Sequence, residues 1–78
     1  MNIQTLLGKN IRRLRETRAW SQDDLSEHAG LHRTYISGVE RGVRNPTIAV
    51  VERIATALGV EVAELLRRGV TANESRKK

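Results

Sequence analysis

The sequence predicts an all-α fold, a single compact domain of five helices. Apolar residues recur at intervals of three and four along most of the 78 residues, as expected for helices that each bury one face in a shared core. Glycines follow several of these apolar runs, and a glycine in the left-handed conformation commonly ends a helix. No segment has the alternation of apolar and polar residues that marks a half-buried strand.

Two amphipathic helices are predicted in the first part of the chain. The first covers residues 3 to about 17, and its outer faces are strongly basic. Its core residues are Leu7, Ile11 and Leu14. The second is predicted to begin near Gln22, with Ser21 as its N-cap and Asp24 completing a capping box. Gly30 is expected to end it.

A third helix is predicted directly after this glycine, from His32 to about Arg41, with Gly42 as its stop. Residues 22–41 therefore form two short helices joined by a sharp glycine turn. The apolar positions that hold them together are Leu25, Ala29, Leu31, Ile36 and Val39. Between these positions the third helix carries short polar or cationic side chains, which is typical of a helix that reads base edges in DNA.

Two further helices and a polar tail complete the predicted organisation. Residues 43–46 are expected to form a loop that ends at the only proline, and Thr47 is predicted to cap the fourth helix. The core face of the fourth helix is predicted to contain Ile48, Val51, Ile54, Ala55 and Leu58. The residues that mark a short fifth helix are Val62, Leu65 and Leu66. Gly69 is expected to end it. We place the domain at residues 1–70 and expect residues 71–78 to form a flexible basic tail.

The composition favours a polyanionic partner. Lys and Arg number 14 against nine Asp and Glu, which gives a formal net charge of +5. Trp20 and Tyr35 are the only aromatic residues, so the stacking platforms of many RNA readers are missing and double-stranded DNA is the expected partner. The chain has no cysteine and no apolar run typical of a signal peptide or a membrane span. We therefore expect a cytoplasmic protein that is nucleoid-associated when bound to DNA.

The sequence contains no recognisable catalytic or metal-binding constellation. His28 and His32 are four residues apart, but Gly30 breaks the helix between them and no glutamate or thiol completes a site. Neither a glycine-flanked nucleophile nor a phosphate-binding loop occurs. We expect no enzymatic activity, no cofactor, no metal, no membrane partner and no small-molecule ligand.

The order of these elements, the spacing within residues 22–41 and the string RTYISGVERGVRNP resemble the Cro/C1-type (XRE-like) helix-turn-helix family of small bacterial and phage regulators. The resemblance covers roughly residues 11–66. It implies a lambda-repressor-like DNA-binding domain that acts as a transcription regulator, either a repressor or an activator. The segment RTYISG is most similar to the controller proteins of restriction-modification systems. Ser26 stands where the family usually has alanine, but serine is nearly as small and the helix crossing should survive.

The resemblance implies that the first turn of the third helix enters the major groove. Arg33 can bond guanine N7 and O6 together, and the methyl group of Thr34 can meet a thymine methyl. Ser37, one turn further along, and His32 complete the expected base contacts. The plainer alternative is a solvated first turn. Gly38 lets the helix approach the bases closely or relieves helix packing.

Four residues are expected to contact the DNA backbone: Gln22, Tyr35, Arg44 and Asn45. Gln22 begins a helix whose free N–H groups favour phosphate, although it can also be an ordinary helix-start residue. The Tyr35 ring either reaches DNA or covers the helix junction, and the sequence leaves both open. The resemblance also implies a structural ion pair between Arg15 and Glu40. Trp20 is expected to pack over the corner between the first two helices.

A homodimer is expected, because one recognition helix covers too few base pairs to be selective. Two copies related by a two-fold axis would read a pseudo-palindromic operator. Apolar residues near the end of the domain offer a dimer interface, unless they belong to the core alone: Val60, Leu65, Leu66 and Val70. Two alternative functions stay open on the sequence. One is an antitoxin-like or phage Cro-like repressor whose main partner is another protein, and the other is RNA binding.

Overall fold

A computed structural model of the protein describes residues 1–68. Its helices are α1 (Ile3–Thr17), α2 (Gln22–Ala29), α3 (Arg33–Glu40), α4 (Ile48–Leu58) and α5 (Val62–Leu65). The predicted all-α, five-helix fold is confirmed, and none of residues 1–68 lies in a strand. No helix of this part of the chain has the length and apolarity needed to cross a membrane. The predictions for Gly69, Val70 and the tail at 71–78 lie outside the described residues.

The helix ends follow the local signals of the sequence. Ser21 and Asp24 form the predicted capping box, because the Ser21 hydroxyl accepts from the Asp24 backbone N–H at 3.0 Å and the Asp24 carboxylate accepts from the Ser21 backbone N–H at 2.8 Å. Thr47 caps α4 by accepting from the backbone N–H of Val50 at 3.2 Å. Gly30 ends α2 in the left-handed conformation, with φ of 69°.

The start of α3 differs by one residue from the prediction. His32 has an extended backbone, and its Nδ1 accepts a hydrogen bond from the backbone N–H of Thr34 at 3.1 Å. It is therefore the N-cap of α3 and not its first residue. The helix ends at Glu40, so Arg41 is its C-cap and Gly42 follows with a φ of 77°.

All five helices contribute to one apolar core. Its largest fully buried side chains are Ile11, Leu25, Ile36, Val39, Ile54, Leu58 and Leu65. One core prediction is wrong: Ile48 is 71% exposed, because it lines a surface groove beside Ile3 and Leu66 and does not reach the core. Leu65 is wholly buried within the single chain, which agrees with the alternative that it belongs to the core.

Three polar side chains hold helix ends together inside this framework. The buried amide of Asn10 donates to the carbonyls of Leu65 at 2.8 Å and Arg67 at 3.0 Å, which ties α1 to the end of α5. Arg53 donates to the last carbonyls of α2 and its cap, and Arg18 donates to the carbonyls of Leu14 and Leu58. These bonds satisfy carbonyl groups that helix geometry leaves without partners.

α1 and α3 cross at a glycine for which the sequence predicted no role. A Cβ atom on Gly8 would lie 2.5 Å from the backbone carbonyl oxygens of Val39 and Glu40. No side chain fits there, because both obstacles are backbone atoms. Gly8 therefore allows the last turn of α3 to rest directly on α1.

Replacing Gly8 with alanine is expected to lower the free energy of unfolding by about 1–3 kcal/mol, since the added methyl must push α3 away from α1. Alanine's higher helix propensity, about 1 kcal/mol, offsets only part of this cost. Urea unfolding followed by circular dichroism measures it. Arg13→Ala, at an exposed position of the same helix, is the control and should stay within about 0.5 kcal/mol of the unchanged chain. A Gly8→Ala protein as stable as this control would contradict the close crossing.

Candidate nucleic-acid interface

α2 and α3 form a helix-turn-helix whose second helix presents its first turn to solvent. After the left-handed Gly30, the backbone N–H of Leu31 donates to the Ser26 carbonyl at 3.0 Å, which closes the turn. Three consecutive residues at the start of α3 are then exposed: His32, Arg33 and Thr34. Ser37 is half-buried one turn further along. The predicted base-contact residues thus lie on one short stretch of chain. Arg33 and Thr34, the first two residues of α3, are more exposed than Ser37.

Arg33 does not stand alone at this surface. Its Nε lies 3.3 Å from the Asp23 carboxylate of α2, and the two side chains are 57% and 74% exposed. Sequence spacing did not indicate this ion pair, because the starts of α2 and α3 come together only in the folded turn. His32 is a second predicted base-contact residue that already has an intramolecular partner. Its Nδ1 accepts the hydrogen bond that caps α3. Its neutral ring then carries the proton at Nε2.

The predicted ion pair between Arg15 and Glu40 is present and nearly buried. The Arg15 nitrogens Nε and Nη2 donate to the two carboxylate oxygens at 2.7 and 3.0 Å, and the side chains are 10% and 3% exposed. The hydrogen bond to Glu40 raises the pKa of Arg15 above its ordinary value, so the guanidinium stays charged at neutral pH. Its Nη1 also donates to the Trp20 carbonyl at 2.8 Å. This pair joins α1 to the end of α3.

Gln22 takes part in the same network. Its side-chain amide donates to Glu40 at 3.1 Å, which leaves the amide oxygen, the second amide N–H and the backbone N–H groups of the first turn for another partner. The adjoining corner is filled by Trp20, whose half-buried ring packs on the core and meets the ring of His28 edge-on at 4.1 Å. This packing agrees with the position expected for Trp20 between α1 and α2.

The loop after α3 folds back onto that helix over a glycine. The backbone N–H groups of Val43 and Arg44 both donate to the Gly38 carbonyl, at 3.0 and 3.3 Å. A Cβ atom on Gly38 would lie 2.6 Å from the Arg44 side chain, so the absent side chain gives room to the stem of Arg44. The Arg44 guanidinium lies 5.6 Å from the centre of the Tyr35 ring. Gly38 therefore relieves packing, which was one of its two predicted roles.

These contacts bring the predicted backbone residues to the side of α3. Arg44 and Asn45 are exposed next to the recognition helix, and Tyr35 is half-buried with its ring against the core and beneath Arg44. Gln22 lies at the start of α2, on the other side of the turn. In the part of the chain that the structure describes, no group of three His, Cys, Asp or Glu side chains is arranged to hold a metal ion.

Known proteins that resemble this chain include control proteins and helix-turn-helix transcriptional regulators. The helix-turn-helix model HTH_3 matches residues 11–65. The control protein C.SmaI from Serratia marcescens is 43% identical over 95% of this chain and 88% of its own length. The control protein C.BamHI from Bacillus amyloliquefaciens is 41% identical over 99% of this chain and 96% of its own length.

Solved structures that resemble this chain also include a controller protein and a regulator bound to DNA. The restriction-modification controller protein C.AhdI from Aeromonas hydrophila superposes with a TM-score of 0.77 at 40% identity, covering 80% of this chain and 94% of the C.AhdI chain in that structure. SinR, described as the master regulator for biofilm formation and solved in complex with DNA, superposes with a TM-score of 0.74 at 34% identity. That match covers 78% of this chain and 98% of the SinR chain in that structure.

Replacing Glu40 with alanine is expected to lower the free energy of unfolding by about 3–5 kcal/mol, because Arg15 would remain nearly buried without a counter-charge. Chemical unfolding measures the loss. Glu16→Ala is the matched control, since Glu16 pairs with Arg12 through side chains that are 55% and 65% exposed, and its cost should be about 0–1 kcal/mol. Equal costs for the two variants would contradict a structural role for the buried pair.

Proposed function

Because the chain belongs to the HTH_3 family of helix-turn-helix transcriptional regulators, we propose that it acts as a controller protein of a restriction-modification system. In this role it binds a pseudo-palindromic operator in double-stranded DNA as a homodimer and regulates transcription, that of its own gene included. The observation that carries the proposal is the exposed first turn of α3, with Arg33 and Thr34 projecting from a helix whose end is fixed by a nearly buried ion pair. Such a turn is the part of a recognition helix that meets base edges.

Arg33 and Thr34 are the proposed principal base contacts. The Arg33 guanidinium can donate to guanine N7 and O6 together, and the Thr34 methyl can pack on a thymine methyl. Ser37 and His32 flank them as further base contacts. Ser37 is half-buried, and the cap leaves His32 with Nε2 as its remaining donor, so both have a shorter reach than Arg33. Arg33 and Thr34 are therefore ranked above Ser37, which is less exposed, and above His32, whose Nδ1 already accepts a hydrogen bond.

The DNA backbone is proposed to lie along both sides of this turn. On one side, Gln22 offers the N–H groups at the start of α2, where the helix dipole also favours a phosphate. On the other side, Arg44 and Asn45 are exposed on a loop tied to Gly38, and Tyr35 supports the Arg44 guanidinium from below. These contacts set the position of α3 and carry little sequence information.

Arg33→Ala is expected to weaken binding to the operator by about 1–3 kcal/mol per half-site and to relax the preference at one base pair, because it removes a bidentate base contact. Arg44→Ala should instead weaken operator and scrambled duplexes alike. It should also reduce the slope of log affinity against log salt by about one unit for each phosphate that Arg44 neutralises.

Titrations of both variants against the two duplexes at several salt concentrations separate these roles. The operator is first located by footprinting the DNA upstream of the chain's own gene, and structured RNA at equal salt serves as a control ligand. If Arg33→Ala weakened both duplexes equally while Arg44→Ala changed base preference, the assignment would be inverted. Tighter binding to the RNA would reject double-stranded DNA as the partner.

The dimer interface is proposed to lie at an apolar groove between the first turns of α1 and α4 and the end of α5. Of the predicted interface residues, the half-buried Leu66 lines this groove, whereas the half-buried Val60 does not and Leu65 is buried in the core. Val70 lies outside the described residues. Leu66 lines the groove together with Ile3 and Ile48, which are 49% and 71% exposed. The groove has a volume of about 190 Å³. Exposed large apolar side chains gathered in one groove favour a protein partner over water.

A second copy of this chain is the occupant that fits the groove's position. Asn45 and Pro46 form part of its lining and also belong to the loop proposed to follow the DNA backbone. A copy seated there would bring its own α3 next to the same duplex. Two recognition helices about one helical turn apart, ~34 Å, would then read the two halves of the operator.

Ile48→Asp is expected to convert the dimer to a folded monomer, because a charge would replace an apolar contact between copies. Sedimentation at micromolar concentration measures the mass, and circular dichroism checks the fold. Ala49→Asp, next along the exposed first turn of α4 and outside the groove, is the matched control and should remain a dimer. Leu65→Asp should unfold the chain. A folded, dimeric Ile48→Asp protein would reject this interface, and a single-chain mass for the unchanged protein with operator present would reject the dimer.

The alternative of an antitoxin-like or phage Cro-like repressor with another protein as main partner is not favoured, since C.SmaI and C.BamHI, which match this chain over nearly all of both sequences, are control proteins. Genome context tests the choice. A neighbouring endonuclease or methyltransferase gene supports the controller role, whereas a toxin or phage gene would argue against it. Because its proposed partner is genomic DNA, we place the protein in the cytoplasm, at the nucleoid when bound.

A further inference from the structure

An acidic side chain lies beside the arginine that is proposed to read bases. Asp23 is the second residue of α2 and Arg33 is the first of α3, and their Oδ1 and Nε atoms are 3.3 Å apart. The N-terminal capping of α2 uses the neighbouring Asp24 and leaves the Asp23 carboxylate out. Among residues 1–68, the one ion pair that Asp23 forms is with Arg33.

The geometry of this pair leaves the reading end of the arginine available. A guanidinium has five N–H donors in a planar fork, and Asp23 contacts it at Nε, the nitrogen nearest the helix. Its two terminal nitrogens form no hydrogen bond with residues 1–68, and the side chain is 57% exposed. Those two nitrogens supply the pair of donors needed for guanine N7 and O6. An arginine that is already paired with a carboxylate at Nε loses less side-chain conformational entropy when it binds a base than an arginine that samples every rotamer.

A carboxylate at this position also opposes DNA binding in general. It lies at the first turn of α2, beside the N–H groups proposed to meet a phosphate, and its side chain is 74% exposed. The helix dipole favours an acid at this turn, but the same carboxylate repels the phosphates of any duplex, whatever its sequence. The Asp23 carboxylate should therefore weaken the affinity for any DNA duplex while it improves discrimination between bases.

We propose that Asp23 is a positioning residue for base readout, which holds the Arg33 fork toward guanine at the expense of overall affinity for DNA. This inference rests on the proposed function, because it requires Arg33 to contact a base. On this proposal, α2 contributes to base specificity through Asp23, in addition to its contact with phosphate.

Asp23→Asn tests the proposal, since it removes the charge while keeping the shape of the side chain. Glu27→Gln is the matched control: Glu27 is exposed on the same helix, loses the same charge, and forms no ion pair with any of residues 1–68. The probes are the duplex that the unchanged chain enriches from a random-sequence pool, its single-base variants and a scrambled duplex. Circular dichroism verifies that each variant is folded.

Asp23→Asn should bind the scrambled duplex more tightly, by about twofold, and Glu27→Gln should do so by a similar or smaller factor. Asp23→Asn alone should lower discrimination at the guanine read by Arg33, by about twofold to fivefold per half-site, which is the range of an exposed ion pair. In an Arg33→Ala background, Asp23→Asn should no longer change discrimination, because the residue through which it acts is gone.

Each contrary result has a distinct meaning. If Asp23→Asn and Glu27→Gln left discrimination equally unchanged while Arg33→Ala still relaxed it, the positioning role of Asp23 would be overturned and the proposed function would stand. If Asp23→Asn still altered discrimination without Arg33, Asp23 would act on the bases by another route and the proposal would be overturned. If the unchanged chain enriched no sequence at all, the proposed function would fail, and this inference with it.

Discussion

The nearly buried ion pair between Arg15 and Glu40 is the contact on which the geometry of the DNA-facing surface depends. α3 has eight residues, too few for a helix to keep its structure and direction without packing against the rest of the fold. Two hydrogen bonds from one planar guanidinium to one carboxylate restrict the relative orientation of α1 and the end of α3. Gly8 lets the helices come close enough for that geometry. An apolar pair could supply similar stability but would not define the direction of α3 as narrowly.

The same network extends from the ion pair to the start of α2 through Gln22 and to the corner before α2 through the Trp20 carbonyl. The two helix starts that face outward, those of α2 and α3, are thus held in place relative to α1. Several arginines serve this scaffold, including Arg15, Arg18 and Arg53, which donate to groups within the fold. The formal charge of +5 therefore says less about DNA binding than the placement of the cations that remain exposed at α3 and its loop.

Most of the fold could be predicted from the sequence because its determinants are local. The Ser21 and Asp24 capping box spans four residues, and Gly30 ends α2 through its own backbone conformation. Features that depend on contact between distant segments were missed or misassigned. Gly8 matters only because α3 crosses there, and Ile48 lines a surface groove that forms only when α1 and the end of α5 come together beside it. Periodicity cannot tell a core leucine at 65 from one at an interface. The ion pair of Asp23 with Arg33 requires the turn to be folded. Arg15 with Glu40 was predictable because family resemblance carries long-range information that spacing lacks.

Trp20 is the single tryptophan of the chain, and its position has a practical consequence. Its ring meets His28 of α2 and packs on the core, while its carbonyl accepts from the arginine that holds α3. The intrinsic fluorescence of the unlabelled protein therefore originates at the junction of the three helices that orient the recognition surface. An optical signal from this one ring follows the integrity of that junction directly, with no dye attached and no residue replaced.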